Sequence, residues 1–335
     1  MLNDKTVLIT GGTGSFGKKF IETILARYLN VKKIIIFSRD ELKQSDLKQK
    51  YPSSTYPQLR FFIGDVRDKD RLIRACEGVD VIIHAAAIKQ VDTAEYNPTE
   101  CIRTNIDGAE NVIHAALDCG VKNVVALSTD KACAPINLYG ATKLVSDKLF
   151  TAANNIKGSK DIKFSVVRYG NVMGSRGSVI PFFMSIKNQD FIPITDERMT
   201  RFMISLDKGV ELVWKAFDDM LGGEIYVKKI PSIKITDIAK VIAPKSKFKI
   251  IGIRPGEKLH EQMISNEDSY YTYEYSNYFK ILPQINDWNK DKSRIKDGVK
   301  VLNDFTYSSD NNSEWMTKAD FQTWVDANKH FIGKI

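Results

Sequence analysis

Two reactive side chains four residues apart, Tyr139 and Lys143, are the first candidates for chemistry in this sequence. Residues at that spacing share one face of a helix, and an ammonium beside a phenol favours the phenolate and lowers the pKa of the tyrosine. Such a phenolate can take a proton from a substrate hydroxyl while hydride leaves the same carbon. The same spacing also occurs by chance on surface helices, so the elements around the pair must decide its meaning.

A second pair of ionisable side chains, Asp130 and Lys131, precedes Tyr139 by eight residues. Oxidation of an alcohol alone needs no lysine there, so the Thr129-Asp130-Lys131 triplet raises the question of what Lys131 does. The simpler alternative is an ion pair exposed to solvent at the end of a strand. We favour a catalytic role for the pair, because open α/β sheets bind their ligands at the carboxyl ends of the parallel strands.

The elements that would position these residues follow an alternating pattern. Short apolar strands are predicted at 6–10, 33–37, 60–63, 79–84, 121–127 and 163–169. Helical stretches separate them at 15–28, 69–77, 100–119 and 139–154. This alternation predicts an α/β fold, a Rossmann doubly wound parallel sheet with helices on both faces.

After residue 170 the rhythm changes, and a smaller C-terminal substrate-binding lobe is predicted. We expect a Rossmann domain at 1–170, to which a helix at 206–221 and a strand at 224–227 return, so that 205–229 belongs to it. Residues 171–204 and 230–285 would form the lobe, with a helix at 235–242 and a strand at 249–253. Residues 286–335 have a weak pattern and are predicted to be an irregular C-terminal extension.

A glycine-rich turn at 10–17 (TGGTGSFG) predicts a dinucleotide site. Its glycines follow the first strand and open the first helix, where a tight turn and a helix N-terminus can receive a pyrophosphate. The second strand ends in Ser38 and Arg39, which suit the 2′-phosphate of NADP, whereas an inward Asp40 would favour NAD. Asp65 and Val66 are expected beside the adenine, and His84 is interpreted as a structural histidine.

The composition narrows the other function classes. The net charge is +8, but the basic residues are spread along the chain without a nucleic-acid-binding motif, so no nucleic acid is expected as a partner. No apolar run is long enough to span a bilayer, so no membrane is expected either. The four cysteines lack metal-ligand spacing, which argues against a metal and favours a reduced, cytoplasmic location.

Seven stretches together carry a resemblance to a known family. They are GGTGSFG, SRDELKQ, RFFIGDVRD, ALSTDKA, NLYGATKL, VVRYGNVMGSRGSVIPFF and IIGIRPGEKLHE. The sequence resembles the extended short-chain dehydrogenase/reductases and, among them, the inverting UDP-N-acetylglucosamine 4,6-dehydratases of pseudaminic acid biosynthesis. Retaining dTDP-glucose dehydratases carry Thr-Asp-Glu where this chain has Thr129-Asp130-Lys131, and sugar 4-epimerases generally lack acid-base groups there.

The resemblance implies a lyase that oxidises carbon 4 of UDP-N-acetylglucosamine, eliminates water across carbons 5 and 6, and returns the hydride to carbon 6. It assigns abstraction of the carbon-5 proton to Lys131 and acid assistance to Asp130, with inversion at carbon 5. Lys131 must then be neutral at working pH, so we expect burial and the cations Lys143 and Lys89 to lower its pKa. Asp130 must be protonated, which an apolar closed site would favour.

The resemblance also implies the remaining site residues. Arg254 can fork onto a diphosphate and Glu257 can accept from a ribose or uracil donor, although Arg254 and Arg201 could instead form salt bridges. The predicted catalytic residues are Lys131, Asp130, Tyr139 and Lys143. The predicted cofactor-binding residues are Gly11, Thr13, Gly14, Ser15, Phe16, Gly17, Ser38, Arg39, Asp40, Lys43, Asp65, Val66, Ala85, Ala86, Lys89, Tyr139, Lys143 and Tyr169. The predicted substrate-binding residues are Lys89, Thr129, Asn171, Val172, Ser178, Val179, Thr195, Arg201, Arg254 and Glu257.

Several readings stay open beside this one. The resemblance implies a homo-oligomer, dimer or hexamer, and a role in polysaccharide biosynthesis or flagellin glycosylation.

The rival enzymes are a nucleotide-sugar 4-epimerase and a retaining 4,6-dehydratase. A non-catalytic NADP-binding regulator is a more remote rival, because such a protein has no need of both the Tyr139–Lys143 and the Asp130–Lys131 pairs.

Overall fold

The first half of the chain alternates strands and helices, as the sequence predicts. A computed structural model describes residues 2–332. The elements of this half are β1 (Thr6–Thr10), α1 (Ser15–Arg27), β2 (Lys33–Ser38), α2 (Glu41–Lys50), β3 (Leu59–Ile63), α3 (Lys69–Cys76), β4 (Val81–His84), α4 (Val91–Tyr96), α5 (Pro98–Ile102), α6 (Gly108–Asp118), β5 (Asn123–Thr129), α7 (Leu138–Ile156) and β6 (Lys163–Tyr169). All six predicted strands are present, with their ends displaced by at most a few residues.

The second half has shorter strands and fewer long helices. Its elements are β7 (Asn171–Val172), α8 (Val179–Ile186), β8 (Phe191–Ile194), β9 (Thr200–Ile204), α9 (Leu206–Asp219), β10 (Ile225–Lys228), β11 (Ser232–Lys234), α10 (Ile235–Ile242), β12 (Lys247–Ile250), β13 (Gln262–Ile264), α11 (Asn266–Ser269), β14 (Thr272–Glu274), β15 (Tyr278–Ile281), α12 (Lys292–Ile295), β16 (Val299–Lys300), β17 (Tyr307–Ser308) and α13 (Lys318–Asn328). The helix at 235–242 has the predicted bounds.

A ten-stranded sheet in the order β16-β14-β15-β10-β6-β5-β4-β1-β2-β3 forms the centre of the molecule. From β10 to β3 every neighbouring pair is parallel. The central strands are largely buried, as expected where helices cover both faces of a sheet; β1, for example, is buried at all five positions. The sheet is of the doubly wound Rossmann type, and the order reverses between β1 and β4, which opens a crevice at their carboxyl ends.

A separate apolar core holds the smaller lobe together. It gathers α8, α10 and α13 around buried side chains such as Phe183, Ile192, Ile238 and Phe321. Two small sheets, β11-β9-β7 and β12-β8, complete it. This lobe lies over the carboxyl ends of the parallel strands, where the sequence predicts it.

One part of the predicted lobe belongs to the main sheet instead. The prediction assigned all of 230–285 to the lobe, but β15 pairs antiparallel with β10, and β14 pairs with β15. These strands join the sheet because β15 is buried and continues its apolar surface. The stacked rings of Tyr275 and Tyr278, whose centroids lie 4.4 Å apart, add to this packing. The domain boundaries as a whole stay a prediction.

The C-terminal region is also more ordered than predicted. Residues beyond 286 contain α13, which begins with a capping box. In it the side chain of Thr317 accepts from the backbone N of Asp320, and the side chain of Asp320 accepts from the backbone N of Thr317. Its apolar residues are few, and they are buried only because α10 lies opposite them. Among the helices within residues 2–332, none combines the length and the apolar character needed to cross a membrane.

Replacement of Phe321 by alanine tests the contribution of α13 to the smaller lobe. The Phe321 side chain is fully buried, so Phe321→Ala should lower the free energy of unfolding by about 3–5 kcal/mol through the cavity it leaves. Urea unfolding followed by circular dichroism measures this loss. Phe331→Ala, at a residue with 38% exposure, is the matched control and should cost far less. Equal stability losses in the two variants would contradict the packing role of α13.

Candidate active site

A cavity of about 1170 Å³ opens at the carboxyl edge of the parallel strands, beneath the smaller lobe. Every residue that the sequence predicts to bind cofactor or substrate lines this cavity, as do Lys131, Tyr139 and Lys143. Asp130 is the one predicted site residue that does not. The structure therefore brings the predicted residues together, although their individual roles stay predictions.

The glycine-rich turn at the start of α1 can accommodate a dinucleotide diphosphate. Gly11 has a φ of +64°, and a Cβ there would lie 2.8 Å from the backbone nitrogen of Ala86. Gly14, at the N-cap of α1, supplies no side-chain cap, so the first N–H groups of this helix point to the cavity without a side-chain partner in the described structure. A wall without side chains and a free helix N-terminus fit an anionic diphosphate.

At the end of β2, Asp40 caps the helix that follows. Its carboxylate caps α2, accepting from the backbone N of Lys43 at 2.9 Å, and pairs with the Lys43 ammonium at 2.6 Å. These hydrogen bonds from Lys43 lower the pKa of Asp40. Arg39 is exposed, and its nearest carboxylate is Asp65 at 3.7 Å. Both Arg39 and Asp40 line the cavity, and the guanidinium is the more exposed of the two side chains.

Helix α7 brings Tyr139 and Lys143 beside the Asp130–Lys131 pair through a close backbone contact. A short 3-10 helix at 130–132 follows β5, and Gly140 packs directly on it. Any Cβ at position 140 would collide with the carbonyl oxygen of Lys131. Asn137 caps α7 by accepting from the backbone N of Gly140 at 2.8 Å. Sequence reasoning missed Gly140, although it lies inside the quoted NLYGATKL stretch.

The pKa of Tyr139 differs from the prediction. Burial raises it to about 12, while Lys131 and a hydrogen bond with Thr129 act in the opposite direction. The expected lowering by Lys143 was wrong for this structure, because desolvation of the phenolate dominates. Lys143 is itself buried, and burial lowers its pKa while Asp147 opposes that shift. The cation that supports a Tyr139 phenolate is therefore Lys131.

The ammonium of Lys131 lies among three acceptors. Its Nζ is 2.9 Å from Oε1 of Glu261, 3.2 Å from Oδ1 of Asp130 and 3.3 Å from Oδ1 of Asn171. Burial alone would lower the pKa of Lys131, but Asp130 and Glu261 together raise it above its usual range. The predicted lowering was therefore wrong, since the two carboxylates outweigh both desolvation and the neighbouring cations.

Asp130 is fully buried beneath the cavity wall. Its Oδ1 accepts from Oγ1 of Thr129 at 2.9 Å and from Lys131, whereas no described residue bonds its buried Oδ2. Burial raises the pKa of Asp130, Lys131 opposes the rise, and Glu261 adds to it. This direction agrees with the expectation for an acid, but Asp130 meets the cavity only through its contacts with Thr129 and Lys131, which both line it.

Glu261 is the site residue that sequence reasoning missed. It is 2% exposed, lines the cavity and pairs with Lys131. Burial would raise the pKa of Glu261, but Lys131 and Arg201 hold it below its usual range. The signal was available, because Glu261 ends the IIGIRPGEKLHE stretch from which only Arg254 and Glu257 were chosen.

The predicted substrate-binding arginines differ in their surroundings. Arg254 is largely exposed, and its Nε and one NH2 nitrogen both donate to the Glu257 carboxylate at 3.1 Å. Arg201 is buried and donates to the carbonyl oxygens of Thr200, Lys258 and Leu259. Arg201 therefore organises the loop that carries Glu261, whereas Arg254 remains accessible to a ligand.

The two histidines near the site occupy structural positions. Nδ1 of His84 lies 2.8 Å from Oγ1 of Thr10, and burial, with a smaller effect of Lys143, lowers the pKa of His84 to about 3. His84 is thus neutral. Nδ1 of His260 lies 2.8 Å from Oγ1 of Thr200.

Comparison with known proteins places the chain in a family. A family model described as polysaccharide biosynthesis protein matches residues 7–283, and the chain belongs to this family. The chain is 55% identical to a UDP-N-acetylglucosamine 4,6-dehydratase (inverting) of Campylobacter jejuni, over 99% of this chain and all of the relative.

One further relative and one solved structure are also similar over most of the chain. A UDP-glucose 4-epimerase of Rickettsia canadensis is 43% identical over 91% of this chain and 92% of its own. The X-ray structure of Pen from Bacillus thuringiensis superposes with a TM-score of 0.87 at 37% identity, covering 97% of this chain and 99% of that one. The similarity thus extends over the Rossmann sheet and the smaller lobe together.

Proposed function

We propose that the chain is an inverting UDP-N-acetylglucosamine 4,6-dehydratase, a lyase that forms UDP-2-acetamido-2,6-dideoxy-beta-L-arabino-hex-4-ulose. The observation that carries the proposal is the presence of a second acid-base pair, Asp130 and Lys131, packed by Gly140 against the helix of Tyr139 and Lys143. The full-length identity of 55% to a relative of that name supports it.

Each residue at the site has a part in this reaction. Tyr139 takes the proton of the 4-hydroxyl, and Lys143 orients the cofactor ribose. The glycine-rich turn at 10–17, Ser38 and Arg39 would hold a nicotinamide cofactor, which would supply the redox chemistry at carbons 4 and 6. Lys131 removes the carbon-5 proton, which the 4-keto group acidifies, and Asp130 supplies the proton for the departing 6-hydroxyl.

Arg254 and Glu257 are proposed to bind the nucleotide part of the substrate. In the structure their side chains neutralise each other through two hydrogen bonds. A diphosphate offers Arg254 the same bidentate geometry with more charge, and Glu257 is then available to a ribose hydroxyl. Asn171, Val172, Ser178, Val179 and Thr195 line the rest of the substrate side of the cavity.

We propose NADP as the cofactor. The exposed Arg39 and the hydroxyl of Ser38 can bind a 2′-phosphate, while the Asp40 carboxylate is engaged by Lys43. Two ribose hydroxyls, as in NAD, would instead require a free carboxylate at this position. The four free thiols suit a reduced compartment, and we place the reaction in the cytoplasm.

The biological setting is proposed on the resemblance and the family alone. The product would enter pseudaminic acid biosynthesis and, from there, flagellin glycosylation or another polysaccharide. A homo-oligomer, dimer or hexamer, is proposed on the same basis.

A nucleotide-sugar 4-epimerase is the second candidate, favoured by the 43% identity to a protein named UDP-glucose 4-epimerase. Epimerisation needs oxidation and reduction at carbon 4 but no proton transfer at carbon 5. A buried Asp130–Lys131–Glu261 cluster has no task in that reaction, which is why we prefer the dehydratase.

A time course of UDP-N-acetylglucosamine turnover in deuterated water tests the proposed function. Proton NMR should show loss of the 6-hydroxyl, a new 6-methyl group, deuterium at carbon 5 and the L-arabino configuration. The reaction should proceed without stoichiometric added NADPH, because the hydride is returned. A product that keeps its 6-hydroxyl and differs only at carbon 4 would make the chain an epimerase.

The proposed cofactor preference depends on Arg39. Removal of its charge and introduction of a carboxylate in Arg39→Asp should weaken NADP binding and strengthen NAD binding. Charge-assisted hydrogen bonds contribute about 1.5–3 kcal/mol, so the ratio of the two dissociation constants should change by roughly tenfold or more. Calorimetric titration with each dinucleotide measures it. An unchanged ratio would remove Arg39 from the 2′-phosphate site.

The proposed roles of Tyr139 and Lys131 predict different blocks. Tyr139→Phe should slow oxidation itself, on the order of a hundredfold to ten-thousandfold, because the base for the 4-hydroxyl is lost. Lys131→Ala should slow oxidation as well, because it removes the cation that opposes the rise in the pKa of Tyr139. It should still permit some oxidation, seen as near-ultraviolet absorbance of reduced nicotinamide, but should lose solvent exchange at carbon 5. If Lys131→Ala exchanges that proton at the wild-type rate, Lys131 is not the base.

A further inference from the structure

The environment of Lys131 raises a difficulty for its role as a base. An ammonium has three N–H donors and no lone pair, and the three acceptors Asp130, Asn171 and Glu261 match those donors in number. In this arrangement Lys131 is a saturated cation. Before it can accept a proton from carbon, it must give one away within the site.

Glu261 makes the shortest of these three contacts and is held firmly in place. Its backbone N donates to Oγ of Ser309 at 2.9 Å, and its carbonyl oxygen accepts from the backbone N of Ser309 at 2.7 Å. Oε1 of Glu261 is also 3.6 Å from Nε of Arg201, while no described residue bonds its buried Oε2. An ionised carboxylate is thus fixed beside Lys131 by the C-terminal region of the chain.

We propose that Glu261 is a positioning residue whose carboxylate holds the Lys131 ammonium and thereby sets the pH at which Lys131 becomes a base. The inference rests on the proposed function. When one proton moves from Nζ of Lys131 to Oδ1 of Asp130, an N–H bond breaks and an O–H bond forms, giving a neutral amine and a neutral carboxylic acid. These are the two forms that abstraction at carbon 5 and departure of the 6-hydroxyl require.

The charge of Glu261 acts against this transfer. At 2.9 Å it stabilises the ammonium, and Arg201 weakens that effect by drawing the same carboxylate oxygen. Loss of the Glu261 charge therefore makes Lys131 easier to deprotonate, so the pKa of Lys131 falls. The other ionisable groups facing this pair are Asp130, Tyr139, Lys89 and Lys258.

The test is the pH dependence of kcat for dehydration in Glu261→Gln, which keeps the shape of the side chain and removes its charge. At low pH the Asp130–Lys131 pair holds two protons, and it must lose one before the internal transfer can give a neutral amine and a neutral acid. The limb that rises with this loss should move to lower pH by on the order of one unit or more. The KM for UDP-N-acetylglucosamine should stay within about twofold, because Glu261 acts through Lys131. A limb at the wild-type pH, with a merely reduced kcat, would overturn the proposal.

Two further variants separate charge from shape. Glu261→Asp keeps the charge at a greater distance and should move the limb in the same direction by less. Asp310→Asn is the matched control: it removes a half-exposed carboxylate next to Ser309, which holds the Glu261 backbone, and should leave the limb in place. If Asp310→Asn shifts the limb as much as Glu261→Gln does, the effect is not specific to Glu261 and the proposal fails.

A second measurement is independent of turnover. The 13Cε resonance of Lys131, assigned by its absence in Lys131→Ala, reports the protonation of Nζ during a pH titration. Glu261→Gln should lower the titration midpoint, and an unchanged midpoint would refute the proposal even for an active enzyme. Wild-type protein that forms no dehydrated product refutes the proposed function instead, and the titration still decides the coupling of Glu261 to Lys131.

Discussion

The charge balance around Lys131 is the interaction on which the rest of the site depends. Two carboxylates, Asp130 and Glu261, and two cations, Lys131 and Arg201, are gathered where water has little access. Removing one member would leave a buried charge without its partner, which is far more costly than losing a surface ion pair. The four residues come from the end of β5, from β9 and from the loop before β13, so the cluster also fixes the lobe to the sheet.

The surrounding elements keep this cluster in register with Tyr139. Gly140 lets α7 approach the carbonyl oxygen of Lys131, and one turn beyond Lys143 the same helix presents Asp147 to the sheet. Asp147 accepts from Oγ of Ser128 at 2.8 Å and from Arg168 at 3.2 Å, so the end of β5 is tied to both α7 and β6. A displacement of α7 or of β5 would therefore move Lys131 and Tyr139 together.

The parts that could be predicted from the sequence are those encoded locally. The glycine turn, the Tyr139–Lys143 spacing and the apolar strands each depend on residues within one element and its neighbours, and the structure brings them to one cavity. The pairing of Lys131 with Glu261 joins residues 130 positions apart, and no local pattern specifies it. The predicted directions of two pKa shifts were also wrong, because that of Tyr139 is set by its burial and that of Lys131 by Asp130 together with the distant Glu261. Helix α13 was not predicted because it has few apolar residues, and these form a recognisable buried face only when they pack against α10.

The positive charge of Lys131 affects both Lys131 and Tyr139, and this gives the steps of the proposed reaction an order. Lys131 as an ammonium works against the burial that raises the pKa of Tyr139, so it favours the tyrosinate needed to oxidise carbon 4. Once Lys131 passes its proton to Asp130, that support is lost, and the amine becomes the base for carbon 5. The carbon-5 proton becomes acidic only after carbon 4 is a ketone, so the charged form of Lys131 serves the first step and the neutral form the second. Glu261, by stabilising the charged form, keeps the site prepared for oxidation until there is a ketone to act on.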